Sequence, residues 1–191
     1  MISFLSLFSD LKEIKDEQAA FSIEQVELAI EALEADIGHY DRLVDQIPQL
    51  EVPKGLKNLS LNEGEYSVVQ RELQLLKTLI SRLDGLRKEI LSTDMRISHK
   101  NKILKRLSKL GDQVFPKRKD LIKKVSESFI KDVEAFVECR FPQGDEKFGA
   151  PYYVIRDEIK SFQGLAKLLT LNTQSFTKTR KALSECWDKI K

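Results

Sequence analysis

From Val69 to Leu104 every seventh residue is apolar: Val69, Leu76, Leu83, Ile90, Ile97 and Leu104. A spacing of seven returns to nearly the same face of an α-helix after two turns, whereas a strand needs alternation by two, so this stripe commits the middle of the chain to helix. The companion position opens apolar with Leu73 and Ile80, then turns polar through Arg87, Asp94, Asn101 and Ser108. A uniform two-stranded coiled coil keeps both positions apolar, so whatever covers this helix changes partway along it. The pattern predicts a helix over about residues 63–110, roughly 70 Å at 1.5 Å per residue. Asn62 followed by Glu65 is the expected cap at its start. A kink or break is expected at Ser92-Thr93-Asp94, with Asp94 as a candidate cap. From Ile103 the stripe re-forms through Leu107, Leu110 and Val114 on a neighbouring face. The six seven-spaced residues should be mostly buried, in the fold or in an oligomer interface.

The flanking segments carry the same period. In Phe21-Ser22-Ile23-Glu24-Gln25-Val26, Ser22 and Gln25 match a capping box, and Phe21 with Val26 matches a hydrophobic staple, which predicts a helix start at residue 22. That helix runs through Val26, Ala29, Ile30, Leu33, Ile37, Tyr40, Val44 and Ile47 to Pro48. Gly111 and Pro116 are expected to form a short corner, after which Leu121, Ile122, Val125, Phe129, Val133, Phe136 and Val137 continue in a helix that stops before Pro142. A further helix follows Pro151 through Tyr152, Ile155, Ile159, Phe162, Leu165, Leu168 and Leu169. A cap or bend near Asn172 or Thr173 leads to a last segment with Phe176, Leu183, Trp187 and Ile190.

With only 8 Gly and 5 Pro in 191 residues and weak strand signals throughout, disordered, collagenous and all-β classes are disfavoured. The expectation is an all-α, elongated antiparallel helical bundle with a long coiled-coil-like helix, forming a single domain over 1–191. Residues 48–61 are read as a connecting loop and 142–150 as a surface loop. Residues 1–21 are read as an N-terminal segment whose apolar positions Met1, Phe4, Leu5, Phe8 and Leu11 dock onto the bundle or onto a partner chain. That run has no basic residue before Lys12, which argues against a signal peptide and against a helix lying on a membrane. No stretch approaches the roughly 20 apolar residues of a membrane span. Cys139 and Cys186 show no paired spacing, so a reducing, cytoplasmic setting is expected.

The formal charge is only +2, but its distribution is uneven. Residues 1–65 hold 5 basic and 14 acidic side chains, while residues 96–124 hold 11 basic and 2 acidic. The basic set is Arg96, Lys100, Lys102, Lys105, Arg106, Lys109, Lys117, Arg118, Lys119, Lys123 and Lys124, on both sides of the expected Gly111–Pro116 corner. Crowded at a hairpin tip, these cations could neutralise phosphates of nucleic acid or of anionic lipid. The favoured reading is a solvated surface partly balanced by the acidic helix, because Phe115 is the only aromatic residue there and single-strand binders pair charge with stacking platforms.

Glu24, Glu27, Glu31, Glu34, Asp36, Asp41 and Asp45 lack a Glu-x-x-His unit, and His39 and His99 each stand alone, so no metal or cofactor is expected and the acids are read as a solvated face. No nucleophile elbow, phosphate loop or kinase signature occurs. Tyr152, Tyr153, Phe162 and Trp187 are expected in the core, with an aromatic docking patch as the alternative. The functional expectation is therefore a non-enzymatic interaction protein, an adaptor or a component of a larger assembly, bound to a protein partner or to a second copy. Binding of nucleic acid or anionic membrane through residues 96–124 is the alternative.

Overall fold

The computed structural model describes residues 4–53, 56, 63–142 and 148–191, with the side chains of residues 4–11 and 63 outside the description. Among these are six α-helices and no strand: α1 (Phe4–Gly38), α2 (Tyr40–Gln46), α3 (Glu63–Ser92), α4 (Ile97–Arg140), α5 (Tyr152–Leu168) and α6 (Thr173–Lys189). The protein is an all-α helical bundle, as the apolar period predicts. Met1 of the docking stripe and the side chains of Phe4, Leu5, Phe8 and Leu11, the cap at Asn62, residues 54, 55 and 57–61 of the first loop and 143–147 of the second lie outside the description.

The helix start expected at Ser22 is corrected. Residues 4–38 form one uninterrupted helix, and the Ser22 hydroxyl donates back to the Gln18 carbonyl at 2.9 Å, as a serine inside a helix does. Phe21 is no staple, for it is 61% exposed. The helix expected over 22–47 is instead interrupted at His39, whose ring Nδ1 lies 2.8 Å from the Ala35 carbonyl, and it resumes as α2.

The expected break near Ser92 is present. The Ser92 and Thr93 hydroxyls donate to the Glu89 carbonyl at 2.9 and 2.8 Å, beside the helical bond from the Thr93 amide at 2.9 Å; such back-bonding bends a helix, and α3 ends at Ser92. Asp94 is not the new cap, since α4 begins at Ile97 and its first turn closes on the Arg96 carbonyl. The interruption also ends the heptad register. Val69, Leu76, Leu83 and Ile90 are buried, Leu104 is half-buried, and Ile97 is 78% exposed, contrary to the expectation for that position.

The corner at Gly111–Pro116 does not exist, because α4 passes through both residues. A Cβ on Gly111 would meet the Phe115 ring at 3.0 Å, so glycine there makes room for an aromatic ring one turn on. Pro116 is exposed, where water can satisfy the carbonyl its missing amide abandons; the interruption costs about 3 kcal/mol. Apolar rows on both sides, Leu107, Leu110 and Val114 before it and Val125, Phe129 and Val133 after it, are buried and keep the helix together.

By its packing the chain divides into two compact units, Met1–Leu43 with Leu76–Pro116, and Val44–Leu75 with Lys117–Lys191. In the first unit, α1 buries Val26, Ile30 and Leu33, the second half of α3 buries Leu76, Leu79, Leu83, Leu86 and Ile90, and α4 buries Ile103, Leu107, Leu110 and Val114. Cross-links give the directions. Glu27 pairs with His99 and Glu34 with Arg106, so α1 and α4 run parallel. Asp36 pairs with Arg82 while Ser22 lies near Ser92, so α3 runs antiparallel to α1.

The second unit is built on the aromatic cluster of Phe129, Phe136, Phe141 and Phe162, with Phe136 and Phe162 ring centres 5.2 Å apart, packed among Tyr66, Val69, Leu73, Ile155, Ile159, Leu165 and Leu183. Asn172 caps α6 by accepting from the Ser175 amide at 2.7 Å, as expected. Pro151 precedes α5. Phe162 is buried and Trp187 packs against the cluster, but Tyr152 and Tyr153 are 56% and 70% exposed, which corrects the core reading for both. They occupy the first turn of α5, before its apolar face closes at Ile155.

Candidate interaction surfaces

Since α4 is continuous, the basic residues do not gather at a tip. Arg96, Lys100, Lys102, Lys105, Arg106 and Lys109 belong to the first unit, and Lys117, Arg118, Lys119, Lys123 and Lys124 to the second. In the first unit the Arg106 guanidinium forms a two-pronged pair with Glu34, Nε to Oε1 at 3.2 Å and Nη2 to Oε2 at 2.8 Å. That pair, followed by the nearby carboxylates of Glu31 and Glu27, holds the Arg106 pKa above its ordinary value against a lowering by burial. Lys100 Nζ donates to the Leu91 carbonyl at 3.2 Å across the α3–α4 turn. The acidic helix therefore lies along part of the basic stretch. Lys102, Lys105 and Lys109 are left exposed, recurring every three or four residues on the side of α4 away from Ile103, Leu107 and Leu110; among the described residues none of the three forms an ion pair.

In the second unit Lys117 Nζ lies 3.4 Å from Glu72, and Lys123 faces Glu127 of its own helix at 3.9 Å. Arg118 Nε is buried without an acceptor among the described residues, and Lys119 and Lys124 are exposed. Sequence reasoning missed two polar contacts here. Tyr66 donates to Asp132 at 2.5 Å, and Arg140 donates to both Glu158 oxygens at 2.8 and 2.6 Å. The Glu158 hydrogen bonds raise the Arg140 pKa above its ordinary value. Asp132, Cys139, Arg140 and Glu158 line a cavity of about 90 Å³ with Leu56, Phe136 and Phe162. Its size suits a few waters rather than a substrate. Each of these charged groups already has a partner inside the fold, so the cluster reads as a core polar network.

The histidines do not meet. His39 engages the carbonyl of Ala35 in its own helix, and His99 Nε2 lies 3.2 Å from Glu27. Among the described residues no three His, Cys, Asp or Glu side chains converge in a way that could hold a metal ion, and no helix is long and apolar enough to cross a membrane.

The surface least like a solvated exterior is on α1. Ile14, Phe21 and Leu28 are 50%, 61% and 51% exposed and recur at intervals of seven. Each lies nine residues from a core-side partner, Ile23, Ile30 and Ile37, which at 3.6 residues per turn is about half a turn around the helix. So α1 carries two apolar faces: one is buried in the first unit and the other is open. The spacing of Ile14, Phe21 and Leu28 by seven is the sequence signal for the second face, which the match of Phe21 to a hydrophobic staple obscures. Comparison of the chain with protein-family models, curated proteins and solved structures finds no match.

Proposed function

We propose that this is a non-enzymatic interaction protein, an adaptor or assembly component, whose bundle holds α1 so that its outer face meets a partner. The open stripe Ile14, Phe21 and Leu28 carries the reading. Scattered apolar residues are common on protein surfaces, but three in register on one helix form a seam of the kind that another helix covers. The 90 Å³ cavity is compatible with the same reading, because Arg140 and Glu158, which line it, are held by each other. The test is affinity capture with the full chain from native extract, joined to sedimentation of the purified protein. Recovery of a stoichiometric partner is expected; a strict monomer that recovers none would remove the proposal.

A second reading rests on Lys102, Lys105 and Lys109, three exposed cations on one side of α4. They form a polyanion-binding strip for nucleic acid or anionic lipid, with affinity that falls steeply with salt. Replacing the three by Glu should abolish binding to heparin or anionic vesicles while leaving helicity intact. Indifference of the native protein to both ligands at low salt would end this reading.

A further inference from the structure

Resting on the proposed interaction function, we infer that the outer face of α1 receives a basic amphipathic helix from a different protein. The stripe of Ile14, Phe21 and Leu28 is bordered on one side by Glu13, Glu17, Glu24 and Glu31 and on the other by Gln18 and Gln25, all exposed. None of these four carboxylates forms an ion pair among the described residues. The acids that α1 uses internally, Glu27, Glu34 and Asp36, are spent on His99, Arg106 and Arg82. The two cations nearest in sequence are turned away, Lys12 by about half a turn from Phe21 and Lys15 by about a third. An apolar seam with one acidic border is complementary to a helix that carries its own apolar seam edged by Lys or Arg, the arrangement that sets partner choice along paired helices.

The same border disfavours the other occupants. An antiparallel pairing of α1 with α1 of a second copy would set this row of carboxylates against itself along the contact. The other exposed large apolar residues, Val68, Leu91, Ile97, Phe115, Tyr152, Tyr153 and Leu168, contain no two at a spacing of seven, so the described residues offer no matching seam for a copy to bring. An anionic membrane would be repelled by the same carboxylates, since helices that lie on such surfaces are edged with cations.

Two synthetic helical peptides test this on the full-length protein. They share one leucine heptad seam and differ only in its borders, Lys in one and Glu in the other. The Lys-bordered peptide should bind at least about tenfold more tightly than the Glu-bordered one. Ile14→Gln with Phe21→Gln should lose about tenfold in affinity for it, with the helical circular dichroism unchanged, which separates loss of the seam from loss of the fold. Glu17→Lys, Glu24→Lys and Glu31→Lys together should invert the preference between the peptides. Absence of binding, equal binding of both peptides, or full affinity in the Gln variant overturns the inference. So does a dimer, or binding to phosphatidylserine vesicles, that the Gln variant abolishes, because a copy or a lipid is then the occupant. The interaction reading survives if the Gln variant still recovers the same stoichiometric partner from extract as the native chain, and it falls separately if neither recovers one.

Discussion

The two cysteines illustrate how much depends on placement that no spacing reveals. Cys139 is exposed, whereas Cys186 is 2% exposed inside the second unit, and burial pushes its pKa above the ordinary value of 9.0. Because the unfolded thiol ionises near that ordinary value while the folded one keeps its proton to higher pH, folding stability is intact below it and declines as pH rises through and beyond it. Denaturant unfolding followed below and above the ordinary thiol value should show this decline, and Cys186→Ala should reduce it. A thiol reagent should modify Cys139 first and Cys186 only on unfolding; equal rates in the native protein would contradict the burial. Residue periodicity identified Val69, Leu76, Leu83 and Ile90 as core. It could not find the Tyr66–Asp132 and Arg140–Glu158 contacts, because they join residues 66 and 18 positions apart and leave no local pattern.

At the scale of elements, most helices were legible and their ends were less so. Stops backed by hydrogen-bonding side chains could be read: the hydroxyls at Ser92 and Thr93 and the amide side chain at Asn172. Stops inferred from residue type alone failed at Ser22, Gly111 and Pro116, because long apolar rows outweigh a local preference of about 1–3 kcal/mol. This difference is measurable. Were Ser22 a cap, Ser22→Ala would cost about 1 kcal/mol; inside α1, with its hydroxyl bonded to Gln18, the substitution should be neutral or stabilising by a few tenths of a kcal/mol. Pro116→Ala should stabilise α4 by up to about 3 kcal/mol by restoring the amide and relieving the clash with the preceding turn. Chemical denaturation of both variants tests the pair, and a loss of stability in either would contradict a continuous helix at that position.

Across the whole molecule, the charge separated along the sequence is partly paired inside each unit, Arg106 with Glu34 in the first and Lys117 with Glu72 in the second, and partly left exposed. Each exposed pair, such as Arg106 with Glu34, contributes only about 0–1 kcal/mol, so single substitutions should change stability little. High salt should lower stability slightly and leave the helical content intact. Association of the purified protein that vanishes with salt would instead show that the charged strips meet between molecules. The misplaced basic tip came from the misplaced corner: without a turn at Gly111–Pro116 the eleven cations are distributed along the stretch of chain that holds α4.

The outer face of α1 as the partner-binding surface is tested most directly by site-specific photocrosslinking of the full chain in native extract. An aromatic photoreactive residue replaces Phe21, preserving the apolar seam, and in a second protein it replaces Lys105 on the exposed side of α4. The expected result is one stoichiometric partner crosslinked from position 21 and none from position 105. Crosslinking from position 105 alone, or from neither position, would contradict the assignment of α1 as the surface this protein presents.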